Sequence, residues 1–154
     1  MSAMAGIFKS YDIRGLCPGE LDEALAERLG SATAELLEAK RLVLGCDMRP
    51  TSPGLRDAFT RGANSRGCAI LDLGMVTTPL TYWAVREYGA DGSVMITASH
   101  NPAEYNGMKI CRAGPEALSY ESGLKDLERL VREPATKGPM PRVENACLDP
   151  WPAY

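Results

Sequence analysis

Short apolar runs alternate with amphipathic stretches as far as Val131, and this alternation limits the chain to few folds. Residues 42–44, 68–71 and 93–97 have the length and aliphatic content of buried strands. Between the strands lie stretches with helical spacing. Leu21, Leu25, Leu29, Leu36 and Leu37 mark one face of a helix reaching about Ala39, with Asp22 placed to cap it. Ser52-Pro53 predicts a second helix, with serine as cap and proline in the first turn, running to about Arg66 and stopped by Gly67. Thr78-Pro79 opens a short third helix, and Leu124, Leu127, Leu130 and Val131 mark a last one. Residues 7–11 read as a first strand followed by a turn at 12–15, and residues 108–111 as a further extended run. Strands alternating with helices predict an α/β domain, a three-layer α/β/α sandwich on a mixed, mostly parallel sheet. Residues 1–133 account for that domain. Residues 134–154 hold Pro134, Pro139, Pro141, Pro150 and Pro152 and read as a linker or wrapping tail.

Composition narrows the function classes. With 154 residues and 45% hydrophobic content, the chain suffices for one domain with a proper core and lies far from the disordered class. A net charge of -3 argues against a general nucleic-acid binder, yet leaves room for a local basic pocket for a small phosphorylated ligand. The five cysteines are odd in number, widely spaced and without a Cys-x-x-Cys pair, so neither a disulfide framework nor a zinc site is expected. Cys46, Cys68 and Cys111 lie in or beside apolar runs and read as small core residues. The reducing cytosol is the compartment that fits. No signal peptide is recognisable, and no apolar run approaches the roughly 18 residues of a membrane span.

One loop concentrates the chemistry. Thr97-Ala98-Ser99-His100-Asn101-Pro102-Ala103-Glu104-Tyr105-Asn106-Gly107-Met108-Lys109 contains the chain's single histidine directly after a serine. A serine hydroxyl is a poor nucleophile unless activated. The Gly-x-Ser-x-Gly elbow of hydrolases is absent, since Ser99 is flanked by Ala98 and His100. Neighbouring side chains of an extended segment also point to opposite faces, which disfavours a Ser99–His100 dyad. The alternative is a phosphoryl carrier. Phosphoserine brings about -1.5 to -2 charges and three acceptor oxygens, which need donors and cations nearby. His100, Asn101, Lys109 and backbone amides are candidates. Pro102 restricts Asn101 to extended geometry, and Gly107 permits a tight return toward Lys109. Plainer roles exist for each: Ser99 as a turn residue, His100 as a polar loop residue, Arg14 as a surface ion pair. Asp47 and Arg49 read as a mutual pair or a cap on the following helix, Asp12 similarly, and Tyr82, Trp83 and Tyr88 as packing residues.

Thr97-Ala98-Ser99-His100-Asn101-Pro102 with Tyr105-Asn106-Gly107-Met108-Lys109 resembles the active-site loop of the α-D-phosphohexomutases, the phosphomannomutase/phosphoglucomutase family. Phe8-Lys9-Ser10-Tyr11-Asp12-Ile13-Arg14-Gly15 and Gly45-Cys46-Asp47-Met48-Arg49 extend the resemblance in family order over nearly the whole chain. The run ending in Lys109, with Gly123-Leu124-Lys125-Asp126-Leu127 downstream, is more similar to bacterial phosphomannomutases than to animal phosphoglucomutases.

The resemblance implies the first of four domains, with residues 134–154 leading toward the second. Ser99 would be the phosphoserine that exchanges its phosphoryl group with a hexose monophosphate through a hexose 1,6-bisphosphate. The 6-phosphate and 1-phosphate are thereby interconverted. His100 and Lys109 would stabilise charge or carry protons beside it. Arg14 would face the same cleft, and Tyr11 and Asn101 would contact substrate. A phosphate oxygen on Ser99 would be one ligand of Mg²⁺. The family's remaining metal ligands lie in an Asp-Gly-Asp-x-Asp loop that this chain lacks, as it lacks the sugar-reading and phosphate-binding loops of the later domains. The expected partners are a hexose phosphate and the remaining domains, with no nucleic acid and no membrane. The chain alone is expected to have little or no mutase activity. Two rival readings are a non-catalytic phosphosugar-binding or assembly module and, among enzymes, a phosphoglucosamine mutase.

Overall fold

In the computed structural model, which describes residues 6–134, 136, 138 and 142–154, the strand β2 (Arg41–Cys46) decides the layering. Successive strand residues face opposite sides of a sheet. Leu42, Leu44 and Cys46 enter one apolar core and Val43 the other. The larger core lies under the helices α1 (Glu23–Leu36), α2 (Ser52–Asn64) and α4 (Lys125–Arg132), through Leu25, Leu29, Leu55, Phe59, Leu127 and Val131. The smaller lies under α3 (Thr78–Glu87), through Leu80, Ala84 and Val85. Helices thus cover both faces of the sheet, as a three-layer α/β/α sandwich requires.

The other strands are β1 (Ile13–Leu16), β3 (Ala69–Met75), β4 (Gly92–Ile96), β5 (Tyr105–Arg112) and β6 (Ala146–Cys147). They form one 6-stranded sheet in the order β1-β5-β4-β2-β3-β6. β2 pairs in parallel with β3 and β4, and β3 with β6, while β5 runs antiparallel to β4 and β1. The sheet is therefore mixed and mostly parallel, with β5 alone reversed.

The first strand lies later than the sequence pattern suggests. Residues 7–11 form the outgoing arm and turn of a tight reversal, in which Lys9 N donates to Asp12 O (2.8 Å) and Arg14 N to Ile7 O (2.8 Å). The strand proper is Ile13–Leu16, read from sequence as a turn, because its ladder partner is β5, with Arg14 opposite Gly107. β5 correspondingly begins at Tyr105 rather than 108. Asp22 does cap α1, accepting from Leu25 N at 2.8 Å. α1 ends at Leu36, short of Ala39, and α2 at Asn64, short of Arg66. Ser52 is not the cap of α2. Thr51 holds that position without a capping hydrogen bond from its side chain, and the Ser52 hydroxyl donates to Asp47 Oδ1 instead (2.7 Å).

In the tail, β6 adds an edge strand beside β3, and Leu148 N donates to Asp72 O (2.8 Å). The Tyr154 ring meets Trp83 edge-on at 5.4 Å, and Trp83 also meets Tyr88 at 5.9 Å. Pro139 and Pro141 lie outside the described residues. No helix among the described residues is long and apolar enough to cross a membrane.

All five cysteines are free, and Cys46, Cys68 and Cys111 are buried. Burial pushes the Cys68 thiol up to about 12 and that of Cys111 to about 11. Iodoacetamide at a pH near the free-thiol value of about 8.5 should therefore label exposed Cys147 and spare Cys68 and Cys111 until denaturant is added. Peptide mapping after a timed reaction reads this. Labelling of Cys68 in the native chain as fast as Cys147 would contradict the packing of β3. The raised values also mean that stability falls as pH rises above the unfolded thiol range, because the unfolded thiols ionise first.

Candidate functional site

The ladder between the parallel neighbours β2 and β4 pairs Cys46 with Ile96, so the residues following each strand emerge side by side. Ligands of open α/β sheets gather at such carboxyl ends. Asp47 N donates to Ile96 O (3.0 Å), and Thr97 Oγ1 donates to Asp47 Oδ2 (2.7 Å). The loop after Thr97 then turns sharply. Ser99 sits at φ +55°, in the left-handed region, where a residue with a side chain costs on the order of 1–3 kcal/mol unless its surroundings enforce it. Ser99 N donates to Thr97 Oγ1 (3.0 Å), and Asn101 donates to Ala98 O from its backbone N (3.1 Å) and Nδ2 (2.8 Å). Ser99 and His100 are both exposed.

Arg49 spans the loop from outside. Its Nη1 donates to Pro102 O (2.7 Å) and Tyr105 O (2.9 Å), and its Nη2 to Ser99 O (3.1 Å) and Asn101 O (2.7 Å). Its Nε meets Asp47 Oδ2 at 3.2 Å. The side chains of Arg49 and Asp47 are only 11% and 13% exposed, and every Arg49 nitrogen is engaged. The expected Asp47–Arg49 pair exists, but it is one contact in a larger network.

The chain returns along β5, which brings Lys109 beside β1. Asp12, 7% exposed, accepts from Arg14 Nη2 (2.5 Å) and Lys109 Nζ (3.2 Å). One carboxylate between two cations leaves net positive charge. Arg14 Nη2 is held by Asp12, while its Nε is buried without a hydrogen-bond partner among the described residues.

A cleft of about 660 Å³ opens here. Tyr11, Arg14, Asn101 and Lys109 line it, together with Lys9, Asp12 and Glu20, so its three cations outnumber its two carboxylates. Four of the expected site residues thus share one cavity. Tyr11 is 71% exposed at its edge. Ser99 and His100 do not line it; they immediately precede Asn101 in the same loop.

The fit to a divalent metal is poor. No group of three or more His, Cys, Asp or Glu residues that could hold an ion occurs among the described residues. The neighbouring carboxylates, Asp12 and Asp47, are taken by Arg14 and Lys109 and by Arg49, Ser52 and Thr97. Among the described residues, no carboxylate cluster for Mg²⁺ stands around Ser99.

Arg49, Asp47, Asp12 and Thr97 organise the site, and sequence reasoning assigned none of them that task. The available signal was Gly45-Cys46-Asp47-Met48-Arg49 directly after an apolar strand, the same placement as the serine loop.

The family model for phosphoglucomutase/phosphomannomutase, alpha/beta/alpha domain I, matches residues 5–135. A phosphomannomutase of Salmonella montevideo is 45% identical over 139 residues, covering 90% of this chain and 30% of that protein. One of Klebsiella pneumoniae is 41% identical over 143 residues, covering 88% of this chain and 91% of that protein. The crystal structure of a phosphoglucomutase/phosphomannomutase family protein from Burkholderia thailandensis superposes with a TM-score of 0.83 at 27% identity, covering all of this chain and 35% of that one. The chain thus spans about a third of the Salmonella and Burkholderia proteins it resembles.

Proposed function

The chain belongs to the phosphoglucomutase/phosphomannomutase family, as its α/β/α domain I, and on that premise we propose that it bears the phosphoserine of an enzyme interconverting hexose 6-phosphates and hexose 1-phosphates. The observation that carries this reading is an exposed serine, held in a left-handed backbone conformation, in a loop whose next residues line a cationic cleft. Phosphoryl transfer asks a protein chiefly for positioning and charge stabilisation, and these residues offer both.

In the forward half-reaction a sugar hydroxyl attacks phosphorus on phospho-Ser99. The P–Oγ bond breaks, a P–O bond to the sugar forms, and the hydroxyl proton ends on Ser99 Oγ. Lys109 and His100 are the groups proposed to carry that proton or to balance charge. Arg14, paired to Asp12 and lining the cleft, takes phosphate oxygens there, and Tyr11 and Asn101 contact the substrate. The resulting hexose 1,6-bisphosphate returns its other phosphoryl group by the reverse step. Mg²⁺ enters the proposal only as an ion with one oxygen from phospho-Ser99 and its other ligands outside this chain. Mannose and glucose phosphates are the proposed substrates, the rest of the enzyme the proposed partner, and the cytosol the proposed compartment, consistent with five free cysteines.

The test is intact mass and phosphopeptide mapping of the purified chain, before and after incubation with hexose 1,6-bisphosphate and Mg²⁺. One phosphoryl group on Ser99 supports the carrier role, and phosphate on another residue overturns it. The same preparation is expected to convert hexose 6-phosphate to 1-phosphate little or not at all in a coupled assay. Substantial turnover by the chain alone would refute the proposal that the rest of the site lies elsewhere.

A further inference from the structure

We propose that Arg49 is the positioning residue of the serine loop: by gripping four of its carbonyls it enforces the left-handed conformation of Ser99, and so sets the rate of phosphoryl transfer without touching the substrate. The kinetic half of this inference rests on the phosphoserine reading above, whereas the conformational half stands on geometry alone. The carbonyls of Ser99, Asn101, Pro102 and Tyr105 belong to irregular backbone or its junction with β5, and they span the loop from tip to exit. One planar guanidinium serves all four. An ammonium is a point with three donors and does not span them.

Both sides of Ser99 are held. Its carbonyl is bound by Arg49 Nη2, and its N–H by Thr97 Oγ1. Both holds trace to Asp47, whose Oδ2 takes Thr97 Oγ1 and Arg49 Nε, and whose Oδ1 takes the Ser52 hydroxyl and Arg49 N. Asp47 follows β2 directly, so the network ties the loop to the most central part of the sheet. A residue with a side chain keeps a positive φ only where its surroundings impose it, and no other side chain among the described residues reaches the Ser99 carbonyl. Arg49 does not line the cleft that holds Arg14 and Lys109. Its loss should therefore cost rate above all, since a displacement of about 1 Å at a reacting group costs roughly a hundredfold, with a smaller effect on affinity through Asn101, whose carbonyl it holds and which lines the cleft.

The experiment compares the wild-type chain with Arg49→Ala and Arg49→Lys. Amide hydrogen exchange is followed by NMR at Ser99, Asn101 and Tyr105, whose N–H groups are bonded within the loop, and at α1 and β2 as references. Ser99 phosphorylation by glucose 1,6-bisphosphate is timed across donor concentrations. Arg49→Ala is expected to speed exchange at the three loop amides while the references hold. It should slow phosphorylation at saturating donor roughly a hundredfold, with a much smaller change in the half-saturating concentration. Arg49→Lys should fall between. Wild-type loop exchange in Arg49→Ala would overturn the proposal, as would a rise in half-saturating concentration at an unchanged maximal rate, which marks a substrate contact. If Arg49→Ala does not fold, Arg49→Lys decides by the same loop amides: faster local exchange supports the latch and unchanged exchange overturns it. If the wild-type chain takes up no phosphate, the phosphoserine reading loses support, and the exchange comparison still decides the latch.

Discussion

Replacing Ser99 with alanine is expected to abolish phosphate uptake from hexose 1,6-bisphosphate while leaving the fold intact. The substitution removes only an exposed hydroxyl that has no hydrogen-bond partner among the described residues. The loop contacts of this residue run through its backbone N–H and carbonyl, which alanine retains. Alanine carries the same Cβ, so it meets the same left-handed strain as serine. Stability should accordingly stay within about 0.5 kcal/mol of wild type. Function should not, because no other hydroxyl occupies that place in the loop, and the phosphoryl group has no acceptor. Phosphopeptide mapping together with a thermal melt separates the two effects. Full phosphate incorporation in Ser99→Ala would mean that the carrier is a different residue. Loss of the cooperative melt would mean that the hydroxyl is structural.

The largest loss of stability should come from two glycines that helix propensity marks as the wrong residues. Gly30 lies within α1 and Gly62 within α2, and alanine is ordinarily about 1 kcal/mol better than glycine inside a helix. Here the helices cross with backbone against backbone. A Cβ on Gly62 would lie 1.8 Å from Glu27 O, and one on Gly30 would lie 2.1 Å from Phe59 O. The obstacle is a main-chain carbonyl in a helix, which cannot swing aside as a side-chain end can. Relief requires moving α1 away from α2, and that opens the core around Leu29, Leu55 and Phe59. Gly62→Ala and Gly30→Ala are each expected to cost about 3 kcal/mol, the upper part of the overpacking range, despite the gain in propensity. Urea unfolding midpoints at constant slope measure this. A variant as stable as wild type would show that the helix pair separates at little cost.

The two glycines mark the boundary of what was legible. The helix through Gly30 is readable from the leucine spacing around it, but the spacing says nothing of Glu27, Phe59 and Gly62 meeting across two helices. Ser99, Lys109, Arg14, Tyr11 and Asn101 were legible as a candidate site because they sit in a few short motifs. That four of them line one cleft, while Ser99 and His100 stand beside it, was not.

The same division explains the errors. Strands, helices and caps depend on neighbouring residues: alternation along β2, the recurrence of leucines along α1, and Asp22 reaching a backbone amide three positions on. These the chain encodes locally, and they determined the α/β class, the layering and the loops that follow the parallel strands. The place of β1 depends on β5, and the contact that links them, Lys109 to Asp12, spans 97 positions. The grip of Arg49 on the serine loop spans about 50. A guanidinium between a methionine and a proline in the sequence has no preferred partner. Only the folded sheet, by setting Cys46 beside Ile96, brings the four carbonyls within its reach. The sequence by itself determined which chemistry the loop can carry. Tertiary structure decided which residues hold that loop in a strained conformation, because such a hold comes from contacts that chain neighbours cannot make.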